Sequence, residues 1–347
     1  MKIIVSVVCL LFLVIQLKAE SSEKKYEKTF SSEGIEELVL TNSYGRIEVS
    51  QREGNEISVV VNMKVVAKSG VKADETLELI QILESHADHY LNLETEFGKD
   101  MGLKQLLSNI TVSVDYKVIL PKGIKLRVIS SNGNVFLGNY AGELNADIRN
   151  GDFKAAVLKD GEFYIKQEGG IFNVEDVTWL KGDFKNCTIR IENGEDVQLN
   201  TSSCEGELGS VGKLNLRTSG GIMKLGDIEE LRGSSSFTKF EIQDIGSILD
   251  MDMRMGEMNV RNIQLMFAEI RLKGYFTKVG LTFMKGAGYN LEVKRNKSLK
   301  LDLPEGMVLE DRPSTEKKTI VSTKFIGDLK YSGRVFLELS NGSLYIQ

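Results

Sequence analysis

From Leu126 to about Val279 the chain repeats one short phrase about every 17 or 18 residues. It runs small residue, any residue, apolar, polar or small, apolar. Gly133-Asn134-Val135-Phe136-Leu137, Gly151-Asp152-Phe153-Lys154-Ala155 and Gly170-Ile171-Phe172-Asn173-Val174 are three copies. The small position then falls at Cys187, Cys204, Gly221, Thr238, Gly256 and Gly274. Two more apolar positions precede the small residue, as in Leu126 and Val128, Leu144 and Ala146, Phe163 and Ile165, Leu214 and Leu216, and Leu249 and Met251. Period-two alternation is the signature of a strand with one buried face. Two such strands per repeat, joined by turns, predict an all-β fold: a right-handed parallel β-solenoid with short coils of 17–18 residues. A left-handed hexapeptide solenoid would need a strict six-residue apolar repeat, which the sequence lacks.

The pattern before and after this run differs. Leu38 to Val49 has the repeat's shape, and Ile57 to Val66 alternates as a strand. Ala73 to Tyr90 carries an apolar stripe of Leu77, Ile80, Ile82 and Leu83 and predicts a helix opened by Asp74 and Glu75. Leu91 to Phe97 and Ile110 to Ile119 return to strand alternation, with a loop and one helical turn at Leu103 to Leu107 between them. Leu281 to Val293 is a looser copy, Leu301 to Thr319 a charged departure, and Asn341 to Ile346 recovers the motif. The expected organisation is residues 1–19 as a signal peptide, 20–125 as an N-terminal α/β cap, and 126–347 as solenoid. An exposed terminal coil is a sticky sheet edge, so a cap is needed.

The apolar pairs Val135/Leu137, Phe153/Ala155, Phe172/Val174, Ile189/Ile191, Met223/Leu225, Phe240/Ile242 and Met258/Val260 are the expected core ladder. Asn132-Gly133, Asn150-Gly151, Asn193-Gly194 and Asn341-Gly342 are expected corners, because Asn and Gly tolerate positive φ.

Lys2, an apolar run from Ile3 to Ile15, and Gln16 to Glu20 have the layout of a secretory signal peptide cleaved after Ala19. A retained membrane anchor is the rival, but the run falls short of the about 20 residues a spanning helix needs. No later stretch is apolar enough to span, so the mature chain is expected to be exported, to periplasm or cell surface, without a transmembrane segment. Loss of Lys2 and Lys18 takes the formal charge from −5 to −7. That argues against nucleic acid as a partner. Cys187 and Cys204 share one repeat position, where stacked strands lie about 4.8 Å apart. They are a candidate disulfide in an exported protein; two buried free thiols are the alternative.

Thr41-Asn42-Ser43-Tyr44-Gly45-Arg46-Ile47-Glu48-Val49, Leu120-Pro121-Lys122-Gly123-Ile124-Lys125-Leu126 and Ser130-Ser131-Asn132-Gly133-Asn134-Val135 resemble the exported bacterial family of unknown function labelled "putative adhesin" (DUF4097). The similarity extends over most of the mature chain. It implies a β-solenoid with a non-enzymatic surface or periplasmic role, and it offers no catalytic residues. The sequons at Asn109, Asn186, Asn200, Asn296 and Asn341 are chance matches in a bacterial protein.

Candidate chemistry is sparse. His86 and His89, with Asp88 and Glu84, could meet on a helix face and hold zinc; a polar helix face is the plainer reading. Met251, Met253, Met255 and Met258 could bind Cu(I), but methionine also fills cores. Asp152, Glu168, Glu175, Asp176, Asp183 and Glu192 could serve a glycan-cleaving β-helix, yet they do not recur at one repeat position. Trp179 alone makes no aromatic platform for sugars. Catalytic, cofactor and metal sites are therefore all expected to be absent. The expected function is adhesion, surface binding or envelope scaffolding on an unknown polymer, glycan or envelope protein. A glycan-processing enzyme is the alternative, and a groove with three or more acids and a Lys or Arg would favour it.

Overall fold

A computed structural model describes residues 20–98, 110–313, 318–327 and 333–347. The expected signal peptide and the helical turn at 103–107 lie outside the described residues. β1 (Glu20–Ser31), β2 (Glu37–Ser43), β3 (Arg46–Arg52) and β4 (Glu56–Ala67) precede α1 (Gly70–Glu78). β5 (Ile80–Ala87), β6 (Tyr90–Phe97), β7 (Thr111–Pro121), β8 (Lys125–Ser131), β9 (Asn134–Ala141), β10 (Leu144–Arg149) and β11 (Phe153–Lys159) follow. β12 (Phe163–Arg254) is a run of 92 residues that turns several corners without losing its ladder bonds. β13 (Glu257–Ile263), β14 (Glu269–Tyr275), β15 (Lys278–Phe283), β16 (Tyr289–Arg295), β17 (Lys300–Asp302), β18 (Glu310–Pro313), β19 (Ile320–Ile326), β20 (Gly333–Ser340) and β21 (Ser343–Ile346) complete the chain.

The protein is all-β, and the described strands form one sheet. Two parallel ladders run through it. Leu126, Leu144 and Phe163 are register partners in the first, which we call ladder A. Val135, Phe153 and Phe172 are partners in the second, ladder B. The apolar pairs of the repeat are buried on both ladders. Phe153 and Phe172 stack with ring centroids 5.2 Å apart. Each fully buried side chain of this kind contributes about 1.5–3 kcal/mol.

The sheet is mixed rather than parallel throughout. β1 pairs antiparallel with β4, β4 with β7, β5 with β6, β16 with β19, and β18 with β19. Nor do the rungs stack in chain order. β2 lies between β6 and β8, and β3 between β7 and β9. At the other end β20 lies between β14 and β16, and β21 between β15 and β17. The first and last rungs are therefore both interior, and later or earlier segments cover them.

The predicted helix over 73–90 is corrected. α1 ends at Glu78, and β5 pairs Ile80 with Phe97 through to Ala87 with Tyr90. Ile80 and Ile82 satisfy period two as well as a helical stripe, and the unpaired edge of β6 decides between them. Asp74 and Glu75 do not open the helix; the Gly70 N–H donates to the Glu20 carboxylate of β1 instead. A carboxylate there complements the helix dipole.

Asn132, Asn150 and Asn341 occupy corners between ladders A and B with φ of 52°, 52° and 54°. Asn193 does not: it lacks the positive φ, and its amide donates to Asp176 at 2.9 Å. At these corners the small slot is steric. A Cβ on Gly151 would stand 1.9 Å from the Gly133 carbonyl of the rung before.

Candidate functional site

Ladder A presents its polar side to a groove of about 670 Å³. Its inward positions are apolar in the early part of each strand and turn polar near the corner, at Gln167, Thr201, Thr218 and Ser235. The outward positions on either side form two columns across successive rungs. One reads Asp147, Lys166, Asp183, Asn200, Arg217, Ser234, Asp252; the other Arg149, Glu168, Lys185, Ser202, Ser219, Ser236, Arg254. The groove is thus charged at both ends, its middle is hydroxyl and amide around Arg217, and the end nearer Asp147 is the more densely charged.

The charges at that end largely neutralise one another. Lys185 Nζ donates to Glu168 at 2.8 Å, and Lys166 lies 3.6 Å from Asp147. Asn200 donates to Asp183 at 2.7 Å. The hydrogen bond that Lys185 donates holds the Glu168 carboxyl below its ordinary range and the Lys185 ammonium above its own. In the middle, Ser236 donates to Ser219 at 3.3 Å. Arg217 has no ion pair among the described residues. Two buried polar atoms of the lining are also left over. Gln167 is 1% exposed and gives its amide N–H to the carbonyls of Gly151 and Gly169, while its Oε1 has no partner; Thr201 Oγ1 likewise has none.

A second groove, of about 800 Å³, lies on ladder B. Asp176, Asn193, Ser210, Asp227 and Asp244 occupy one column of it, with Glu195 and Glu229 alongside, and Asn262 continues the column beyond the groove. Acids do recur at one repeat position here, contrary to the expectation for Asp176. Asp227 and Asp244 had no neighbour in sequence to flag them; the 17-residue offset was the signal. Asp176 and Asp244 accept from Asn193 and from Asn262 and Gln264.

The other sequence candidates do not converge. His86 is on β5 beside Glu84 at 3.1 Å, whereas His89 follows β5 and meets the Gly34 carbonyl at 3.1 Å. Among the described residues no three His, Cys, Asp or Glu side chains gather to hold a metal. Met251, Met253 and Met258 are buried; Met255 is exposed at a corner. Asp152 accepts the Ile171 N–H at 2.8 Å, a backbone bond between rungs. Trp179 packs edge-on against Tyr164, and Glu175 and Glu192 are exposed.

Cys187 and Cys204 are stacked, buried free thiols. The Cys187 N–H donates to Cys204 Sγ at 3.4 Å. The Cys187 thiol donates to the carbonyls of Gln167 and Lys185, and the nearness of the two thiols favours ionisation of Cys204 and disfavours that of Cys187.

No family model matches the sequence, and no curated protein matches it. Solved structures similar to it include a "putative cell adhesion protein" from Clostridium sporogenes, 14% identical, covering 94% of this chain and 99% of that one with a TM-score of 0.22. A "putative adhesin" from Parabacteroides merdae is 10% identical over 93% of this chain and 96% of that one, TM-score 0.33. A "putative lipid binding protein" from Parabacteroides distasonis is 11% identical over 94% and 96%, TM-score 0.32. Likenesses this loose carry no argument about function. Among the described residues no helix is long and apolar enough to cross a membrane.

Proposed function

We propose that this chain is an exported, non-enzymatic binding protein whose ladder A groove holds a linear polymer, a glycan or another envelope polymer. In this reading residues 1–19 are a cleaved leader to the periplasm or cell surface. Residues 20–125 cap a right-handed parallel β-solenoid formed by 126–347, with β2 and β3 extending its ladders. The observation that carries the reading is the run of stacked hydroxyl, amide and guanidinium groups from Asn200 to Ser236. Rungs about 4.8 Å apart offer the same donors at regular intervals, close to the length of one pyranose ring. The resemblance to the adhesin family points the same way.

The enzyme reading has one observation in its favour: both grooves contain three or more acids with a basic residue, Lys159 on ladder B and Lys166, Lys185 and several Arg on ladder A. Glycoside hydrolysis needs one carboxyl kept protonated by a raised pKa. Glu168 is pushed the opposite way by Lys185, which leaves it ionised at neutral pH. Asp147 and Asp183 are engaged by Lys166 and Asn200. We therefore favour binding. A disulfide between Cys187 and Cys204, formed by exchange with a disulfide-bearing oxidant outside the cytosol, belongs to the same reading.

The experiment is a glycan array and pull-down with residues 20–347, alongside turnover assays on acidic polysaccharides. Binding weakened at least about tenfold by Arg217→Ala is expected for a charge-assisted contact. Turnover of any polysaccharide would contradict the non-enzymatic reading.

A further inference from the structure

The corner between ladders A and B holds a left-handed residue in rung after rung. Most rungs place Asn, Ser or Gly there, as at Asn186, Ser203 and Gly220. Three consecutive rungs instead carry Phe237, Met255 and Phe276, at φ of 55°, 49° and 54°. Met255 and Phe276 are neighbours because Arg254 pairs with Tyr275, and Phe237 and Met255 because Lys239 pairs with Glu257. All three side chains face solvent, with exposures of 63%, 46% and 52%. Tyr275, 48% exposed, packs edge-on against Phe276 with centroids 4.6 Å apart.

Folding does not account for these choices. A bulky residue without a hydrogen-bonding side chain strains the left-handed region, and an exposed apolar side chain returns no burial. Asn, used at the same corner elsewhere, would be better on both counts. The ridge is also bordered by positive charge in a chain whose formal charge is −5. Arg254, Lys273 and Lys294 line the groove on its ladder A side, against Asp252 and Glu338. Lys239 and Lys278 flank it on ladder B, against Glu257. Arg254, Lys273, Lys278 and Lys294 have no ion pair among the described residues.

We propose that the Phe237–Met255–Phe276 ridge inserts into the surface of an anionic lipid bilayer, with Arg254, Lys273 and Lys278 at the headgroups. An apolar ridge at a corner, edged by cations, is the arrangement that interfacial anchors use. A glycan would need polar groups around it, and the three apolar tips offer none. The site shares Arg254 with one end of the ladder A groove, but Phe237, Met255 and Phe276 line no part of that groove, so the corner residues test the two sites separately.

The test is co-sedimentation of residues 20–347 with phosphatidylcholine vesicles, with and without phosphatidylglycerol. Binding is expected with phosphatidylglycerol and is expected to weaken with salt. The variant Phe237→Asn/Met255→Asn/Phe276→Asn should lose at least about tenfold in partitioning while its thermal midpoint rises by a few degrees, because strain is relieved. A second variant, Lys273→Gln/Lys278→Gln, leaves the corners and the ladder A groove untouched and should weaken binding only to the anionic vesicles. Absent wild-type binding, or binding unchanged by the triple variant, overturns the proposal. So does self-association of the wild type in ultracentrifugation that the triple variant abolishes without any vesicle binding, since a second copy would then be the occupant.

Discussion

Ile270 of β14 pairs in parallel register with Val335, not with Leu291 of β16. Val335 in turn pairs with Leu291 on its other side, so the last segment of the protein wedges between two earlier ones. Leu337 within it is buried between Leu272 and Val293. Leu337→Ala should cost about 2–5 kcal/mol, although it lies only a few residues from the C-terminus. Chemical denaturation of the variant checks this; a loss under about 1 kcal/mol would show a frayed end rather than a wedged one.

Phe172 stacks on Phe153 and lies 4.9 Å from the ring of Phe184. It therefore ties three successive rungs together. Phe172→Asp buries an unpaired charge, and a cost above about 4 kcal/mol follows. Hydrogen exchange should show several rungs losing protection together. Loss confined to residues near 172 would mean the ladder is not cooperative.

Lys28 of β1 donates to Glu84 of β5 at 2.7 Å. That bond, ahead of those from His86 and Tyr26, holds the Glu84 carboxyl below its ordinary value of 4.5, against the opposing pull of desolvation. A depressed folded pKa contributes stability above the unfolded value, lost as pH falls through the folded one. Glu84→Gln should lower stability at pH 7 by about 0.2–1 kcal/mol, the range for exposed pairs. The difference from wild type should shrink below about pH 4.5. A constant difference down to pH 3 would assign the effect to packing.

Cys187 and Cys204 are both buried. Protein exported in its native host and denatured without reductant should take up no alkylating agent at either position if the disulfide has formed. Residues 20–347 produced in the cytosol and treated alike should take up two equivalents, and only after denaturation. Alkylation of both thiols in the exported form would leave them as core residues.

Much of this was legible in the chain. Val135, Phe153 and Phe172 announce their alignment because an in-register ladder repeats its burial at each rung. The wedging of β20 and β21 was not legible, because Asn341 to Ile346 carries the same motif wherever it docks. Ile80 and Ile82 misled because two adjacent periods share them. At the sites, the sequence showed Asn corners and not the meaning of their exceptions: Phe237 and Phe276 stand out only once positive φ and exposure are known together. Arg217 had no motif at all; its stack of hydroxyl neighbours exists only across rungs.

The most direct test of polymer binding in the ladder A groove is a hydrogen-exchange footprint. Residues 20–347 would be measured with and without peptidoglycan sacculi, alginate and heparin. Binding in the groove predicts new protection at 183–185, 200–202, 217–219 and 234–236 with one of these polymers, and the polymer recovered intact. Protection centred on Asp176, Asp227 and Asp244, or shortened polymer in the supernatant, would contradict it.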